Sequence, residues 1–295
     1  MKVGAILPHC EIYGGNRRYM ELGNVFIKRG IGFTIYSKKG QVCDWFDFKG
    51  KIEGWKNIKA DYILCGDPPS FGILPAVTGK IFIYVQAGGG YIMGSKWAKG
   101  GYISVYGQYP FIANHRIFLQ DFPKAHLIEG GVNTEFFKPS TVFSVKDITK
   151  PAKVLYYNRG SKGGDYIKSQ LADLDTIELV GFQGLNNDDL LKLYQSADFF
   201  VSWESRDGWP NTAAEALACG LVVVGSGFNC QPFIDNVTVV TSLRQYFMDK
   251  DNLIVERKYH SMERFSWERV ADKLLELFAQ RHKEQKKNYH EEWTR

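Results

Sequence analysis

Residues 199–225 read Phe-Phe-Val-Ser202-Trp-Glu-Ser-Arg-Asp207-Gly208-Trp209-Pro210-Asn211-Thr212-Ala-Ala-Glu215-Ala-Leu-Ala-Cys-Gly220-Leu-Val-Val-Val-Gly225. Phe199 to Ser202 is a short apolar run with the composition of a buried strand. A loop marked by glycine and proline follows, then an alanine-rich helix from Thr212 to Cys219, and a second strand from Leu221 to Gly225. Strand, helix, strand at this spacing is a βαβ crossover, the connection that parallel strands require.

The same grammar extends in both directions. Upstream, Lys153 to Tyr157 is a strand, Gly163-Gly164 a turn, Tyr166 to Leu174 a helix and Ile177 to Val180 a strand, while Asn186 to Asp189 cap a helix over Leu190 to Ser196. The first half repeats it: strand Val3 to Leu7, Gly14-Gly15, helix Asn16 to Arg29 and strand Phe33 to Ser37. Tyr62 to Cys65, Ile81 to Val85 and Ile103 to Val105 are further strand candidates, and Ala125 to Ile128 leads into Gly130-Gly131. Pro139 to Pro151 has linker composition, and Trp267 to Arg281 carries Val270, Leu274, Leu277 and Phe278 on one helical face. The expected class is α/β, with two Rossmann-like doubly wound domains facing an interdomain cleft. Their bounds are 1–139 and 151–263, followed by a closing helix and charged tail over 264–295. Open parallel sheets take ligands at the carboxyl ends of their strands, so the loops after those strands are where chemistry is sought.

Composition narrows the functional classes. A chain of 295 residues that is 44% hydrophobic and 23% charged is globular and long enough for two cores. Its apolar runs fall short of a membrane span, and Met1 to Pro8 lacks a secretory pattern, so a cytoplasmic location is expected. Five cysteines without CxxC spacing suit a reducing compartment, and six scattered histidines give no metal cluster. Residues 1–139 hold 17 Lys and Arg against 10 Asp and Glu, a net of +7, and the remainder carries −2. That basic half suits either an ordinary solvated surface or a phosphate-bearing partner, anionic lipid or nucleic acid.

Several residues carry chemistry. Free amides of a helix starting near Pro210, Asn211 and Thr212, after Gly208, make a phosphate site. Glu215, on the first turn of that helix, can accept hydrogen bonds from two vicinal hydroxyls such as those of a ribose. Asp207, with seven residues between it and Glu215, suits a sugar hydroxyl or positive charge at an anomeric carbon; the two also suit a turn and a helix dipole. Arg159 and Lys162 follow a strand among glycines, as a diphosphate gaining charge would need, or as a cationic surface turn would have them. Gly14 and Gly15, in Pro8-His9-Cys-Glu-Ile-Tyr-Gly14-Gly15, let amides approach a distal phosphate or an acceptor, and the absence of GxGxxG disfavours a nicotinamide cofactor.

The Asp207 to Gly220 segment resembles the signature of family 4 retaining glycosyltransferases, which have the GT-B architecture. Two acidic residues with seven between them flank a Gly-x-Pro-Asn loop and a Glu-Ala-x-Ala-Cys-Gly helix. The resemblance continues through Arg159 and Lys162, the Gly14-Gly15 loop, Gly130 to Pro139, and Phe265-Ser266-Trp267 opening the last helix. It implies that Glu215 takes the donor ribose, that Asp207 faces the transferred sugar and that Arg159 and Lys162 clamp the diphosphate. The base would lie near Gly181 to Leu185, at Phe182, and the terminal helix would brace both domains. Where relatives carry a histidine near the reacting sugar this chain has Gln86, which cannot act as a base; with His9 it falls on the acceptor side. The short distance from Arg159 to Asp207 implies a compact second domain.

The expected function is therefore a retaining, metal-independent glycosyltransferase. It takes a nucleotide diphosphate sugar as donor substrate, with no cofactor, and a glycan, lipid-linked or small-molecule hydroxyl as acceptor, with peripheral membrane contact through the basic half. Two alternatives stand beside it: an enzyme that glycosylates a modified base in nucleic acid, and a non-catalytic nucleotide-sugar binder.

Overall fold

Val3 to Leu7 is apolar throughout and buried, the pattern of a parallel strand covered on both faces. The computed structural model describes residues 1–11, 14–38, 40, 43–86, 96–140, 150–203, 208–227, 230–254 and 260–293, without the side chains of residues 96–100, 161 and 282–293. These residues form two units, each built on its own parallel sheet.

The first unit comprises Met1–Gln86, Gly100–Gly131 and the chain from Phe265 onward. In chain order its elements are β1 (Lys2–Leu7), α1 (Gly14–Lys28), β2 (Gly32–Ser37), β3 (Lys51–Glu53), β4 (Lys59–Cys65), β5 (Thr78–Val85), α2 (Lys96–Val105), β6 (Phe111–Ala113) and β7 (His126–Leu127). The strand order is β3-β2-β1-β4-β5-β6-β7, with every pairing parallel. The order reverses between β1 and β4, which are hydrogen-bonded neighbours with Ile6 opposite Cys65. A crevice opens at such a reversal, outside the carboxyl ends of the two strands.

Two expectations are corrected here. Ile103 to Val105 is not a strand but the last turn of α2: Tyr102 and Val105 are buried, three apart, while Ile103 is 54% exposed. Tyr102 packs edge-on against Phe71, Phe111 and Phe122, so tertiary contact overrides the β-branched composition. Gly14 and Gly15 do not precede the helix as a turn; they are its first two residues.

The second unit holds Ala87–Lys99, which includes the start of α2, and Val132–Arg264. Its elements are β8 (Ala152–Tyr157), α3 (Gly164–Leu171), β9 (Ile177–Phe182), α4 (Asn187–Gln195), β10 (Phe199–Ser202), α5 (Asn211–Ala218), β11 (Val222–Gly225), β12 (Val237–Val239) and α6 (Leu243–Met248). The parallel sheet runs β12-β11-β10-β8-β9, and its reversal lies between β8 and β10.

The chain closes with α7 (Trp267–Trp293), which packs on the first unit. Val270, Leu274, Leu277 and Phe278 are buried in the core that also holds β1 and α1. Phe278 stacks on Tyr62 with ring centres 4.2 Å apart, and the Tyr62 hydroxyl donates to the Phe278 carbonyl at 3.3 Å. At the start of α7, Trp267 lies under the buried Arg18 guanidinium, which also sits over Tyr84 and donates to its hydroxyl at 3.2 Å. The five cysteines are free thiols, and among the described residues no helix is long and apolar enough to cross a membrane.

Candidate active site

In the second unit, the loop after β8 carries Arg159 and Lys162 to the strand-order reversal. Tyr156 pairs with Val201, so the residues following β8 and β10 emerge side by side. The Arg159 carbonyl accepts from the amides of Lys162 at 2.8 Å and Gly164 at 3.1 Å, folding the loop into a tight turn. Gly163 has φ of 76°, and a Cβ there would lie 2.4 Å from the Trp203 carbonyl; one at Gly164 would lie 2.8 Å from the Arg159 amide nitrogen. Glycine is required at both places for backbone to approach backbone, which seats the cationic loop against Trp203, the residue just after β10. The Trp203 ring stacks on Tyr166, centres 5.3 Å apart and 21° from parallel. Arg159 is exposed, and among the described residues its guanidinium has no hydrogen-bond partner, so it stands ready for an external anion.

Beside this loop, α5 begins at Asn211 after Pro210, which gives no side-chain cap. The first helical bond runs from the Ala214 amide to the Pro210 carbonyl at 3.0 Å, and among the described residues no acceptor serves the amides of Thr212 and Ala213. Gly208, at φ of 117°, gives the loop a conformation that other residues resist. Glu215 lies in the second turn of α5, not the first, and is 4% exposed; its Oε2 accepts from the Tyr194 hydroxyl at 3.3 Å. Phe182, at the end of β9, packs edge-on against Tyr157 and Tyr194, so its side chain belongs to the core.

The first unit brings together His9, Gly15 and Gln86. Gln86 is wedged between two glycines: a Cβ at Gly15 would lie 2.7 Å from its Oε1, and one at Gly66 would lie 2.9 Å from its Nε2. Its backbone carbonyl accepts from the Asn114 side-chain amide at 2.8 Å. His9 Nδ1 accepts from the Glu11 amide at 3.3 Å and lies 3.3 Å from the Asn16 side-chain nitrogen, which puts the ring proton on Nε2.

Residues 142–245 match the family model described as group 1 glycosyl transferases, and this segment contains both loops at the β8/β10 reversal. The fold as a whole is that of solved enzymes of this kind. Sucrose-phosphate synthase from Thermosynechococcus elongatus matches with a TM-score of 0.69 at 13% identity, over 95% of this chain and 98% of its own. The Anabaena HepE protein, solved in complex with UDP-glucose, matches at 0.68 with 12% identity, over 95% and 100%. WaaG, a glycosyltransferase involved in lipopolysaccharide biosynthesis, matches at 0.57 with 13% identity, over 92% and 98%. The chain has the GT-B fold, and within it residues 142–245 carry the likeness to group 1 glycosyl transferases. No curated protein sequence matches it.

The chain thus has two loop clusters. Arg159, Lys162, Gly208, Pro210, Asn211, Thr212 and Glu215 belong to the second unit, and His9, Gly14, Gly15 and Gln86 to the first. Asp207 lies outside the described residues. Sequence reasoning missed Trp203 and Tyr166, whose stack flanks the Arg159 loop, and it missed Asp67, two residues beyond β4. A polar residue just past the carboxyl end of a strand at the reversal was the available signal for Asp67.

Proposed function

We propose that this chain is a nucleotide-sugar glycosyltransferase that acts with retention of configuration and without a metal ion, moving the sugar of a nucleoside diphosphate donor to an acceptor hydroxyl. The observation that carries this reading is the seating of the Arg159 loop at the β8/β10 reversal, next to the open amides of Thr212 and Ala213. Two cationic side chains and a helix start supply the charge stabilisation that a departing diphosphate needs, preorganised by the glycine contacts on Trp203. Glu215 is assigned to the ribose and Asp207 to the transferred sugar. The bond from the anomeric carbon to the diphosphate oxygen breaks, and the acceptor oxygen bonds to that carbon from the same face. The acceptor's proton passes to the departing phosphate oxygen, because Gln86 has no basic atom.

UDP-glucose, the ligand solved with HepE, is the first donor to test, within a thermal-shift screen of nucleotide sugars. Arg159→Ala is expected to lower kcat by about 10²-fold, the usual effect of removing one preorganised donor at a charge-developing oxygen. Turnover at the wild-type rate in that variant removes Arg159 from the reaction, and loss of activity on adding a strong chelator removes the metal-independent part of the reading. The anomeric configuration of the first-formed product, read by NMR, decides retention.

A further inference from the structure

Tyr166 and Trp203 stack beside the Arg159 loop, and nothing derived so far uses their rings. Tyr166 is 40% exposed, so burial in a core does not account for the contact. Its position along the chain does. Gly163 is the N-cap of α3, and Tyr166 follows one helical turn later, on the same side of the helix. A Cβ at Gly163 would lie 2.4 Å from the Trp203 carbonyl oxygen and 3.2 Å from the Trp203 Cβ. The root of Trp203 therefore abuts Gly163, while its ring reaches Tyr166, centres 5.3 Å apart. Trp203 is well anchored for this, because it follows directly on β10, which pairs with β8 on one side and β11 on the other. From Trp203 the chain runs on toward Asp207. The Arg159 loop itself has glycine at 160, 163 and 164, and such a backbone has many alternative conformations. A contact from outside the loop is what selects one of them.

We infer that Tyr166 and Trp203 are positioning residues: their stack fastens α3 and the Arg159 loop to the end of β10, and so sets where Arg159 and Lys162 meet the diphosphate. The inference rests on the transferase reading above for what the loop binds, and on the contacts alone for what holds the loop. The two rings act through the cationic side chains and not on the donor. Because a reacting geometry tolerates a displacement of only about 1 Å, releasing the loop costs turnover more than it costs folding.

Two measurements on the full chain test this, each with Tyr166→Ala and Tyr166→Phe. Without nucleotide, hydrogen exchange at the Lys162 and Gly164 amides, both bonded to the Arg159 carbonyl, should quicken by about two- to tenfold in Tyr166→Ala, the change that loss of one aromatic pair allows. Tyr166→Phe keeps a stacking ring and should exchange as the wild type does. With the nucleotide sugar selected by thermal shift, Tyr166→Ala should lower kcat by about tenfold or more. In an Arg159→Ala background the same substitution should lower kcat by about threefold or less, because most of what it positions is gone. A general loss of stability would multiply equally through both backgrounds. Wild-type exchange at both amides in Tyr166→Ala overturns the inference, as does an equal fold-loss of kcat with and without the Arg159 side chain. Tyr166→Leu, which has no ring but an apolar side chain suited to a helix, gives the same readings should Tyr166→Ala melt early. Quickened exchange in a chain whose wild type neither binds nor hydrolyses a nucleotide sugar supports the fastening of the loop and marks failure of the transferase reading.

Discussion

At the scale of single residues, the two loop clusters are governed by where glycine stands and where charge is buried. Gly163 combines a left-handed φ with a close approach to Trp203, so Gly163→Ala incurs about 1–2 kcal/mol of backbone strain and a steric clash besides. The strain is relieved by displacing the Arg159 loop, and catalysis depends on placement within about 1 Å. The expected result is a fall of about tenfold or more in kcat/KM for the donor with a modest loss of stability, measured by steady-state kinetics and denaturant melts together. Asp67 makes the complementary case for charge. Its folded-state pKa is raised, chiefly by burial, so the folded chain holds that proton more tightly than the unfolded chain. Its contribution to stability is greatest below the ordinary carboxylate range, near about pH 4, and is lost as pH rises through the raised value. Ionised Asp67 therefore destabilises the fold at neutral pH. Asp67→Asn should melt at a higher temperature than wild type there, with the gap closing in acid; calorimetry at both pH values checks the sign.

At the scale of elements, α7 shows what the sequence makes legible and what it hides. The apolar spacing of Val270, Leu274, Leu277 and Phe278 announces a helix, and all four are buried. What they pack against is not written in that spacing: Phe278 finds Tyr62, more than two hundred residues earlier, through a long-range stack. The βα alternation was likewise readable from runs such as Val3 to Leu7 and Phe199 to Ser202, because parallel strands buried on both faces leave little room for polar residues. Lys51 to Glu53 was not readable, since a three-residue edge strand with two charged residues is held by its pairing with β2 alone. Ile103 misled because its neighbours, and not its own propensity, decide its state. The residues proposed for the donor stood out in the sequence because they cluster in one short segment. Asp67 was not, because only the pairing of β1 with β4 brings it to His9. The entry of α7 supplies a direct test of element packing. A Cβ at Gly131 would lie 2.4 Å from the Trp267 ring, too close for the buried indole to tolerate without moving. Gly131→Ala should cost about 1–3 kcal/mol as an overpacked contact, and Trp267→Ala about 3–5 kcal/mol as a cavity, both read from denaturant midpoints.

At the scale of the whole molecule, the chain divides into two units, each with its own sheet and its own strand-order reversal, so the proposed donor site can be tested by which unit a nucleotide protects. A nucleotide that binds through Arg159, Lys162 and the start of α5 touches only the second unit, and stabilises what it touches by mass action, about 2.7 kcal/mol at a hundredfold excess over Kd. Hydrogen exchange resolves that stabilisation along the chain, because amides that open locally report local free energies. With UDP present, the amides of Thr212 and Ala213, which have no acceptor among the described residues, should slow most, together with those of residues 159–164. The segments carrying His9 and Asp67 should exchange as they do in the free protein. If UDP protects those segments while leaving residues 159–164 and the start of α5 unchanged, the nucleotide resides in the first unit, and the assignments of donor and acceptor sides must be exchanged.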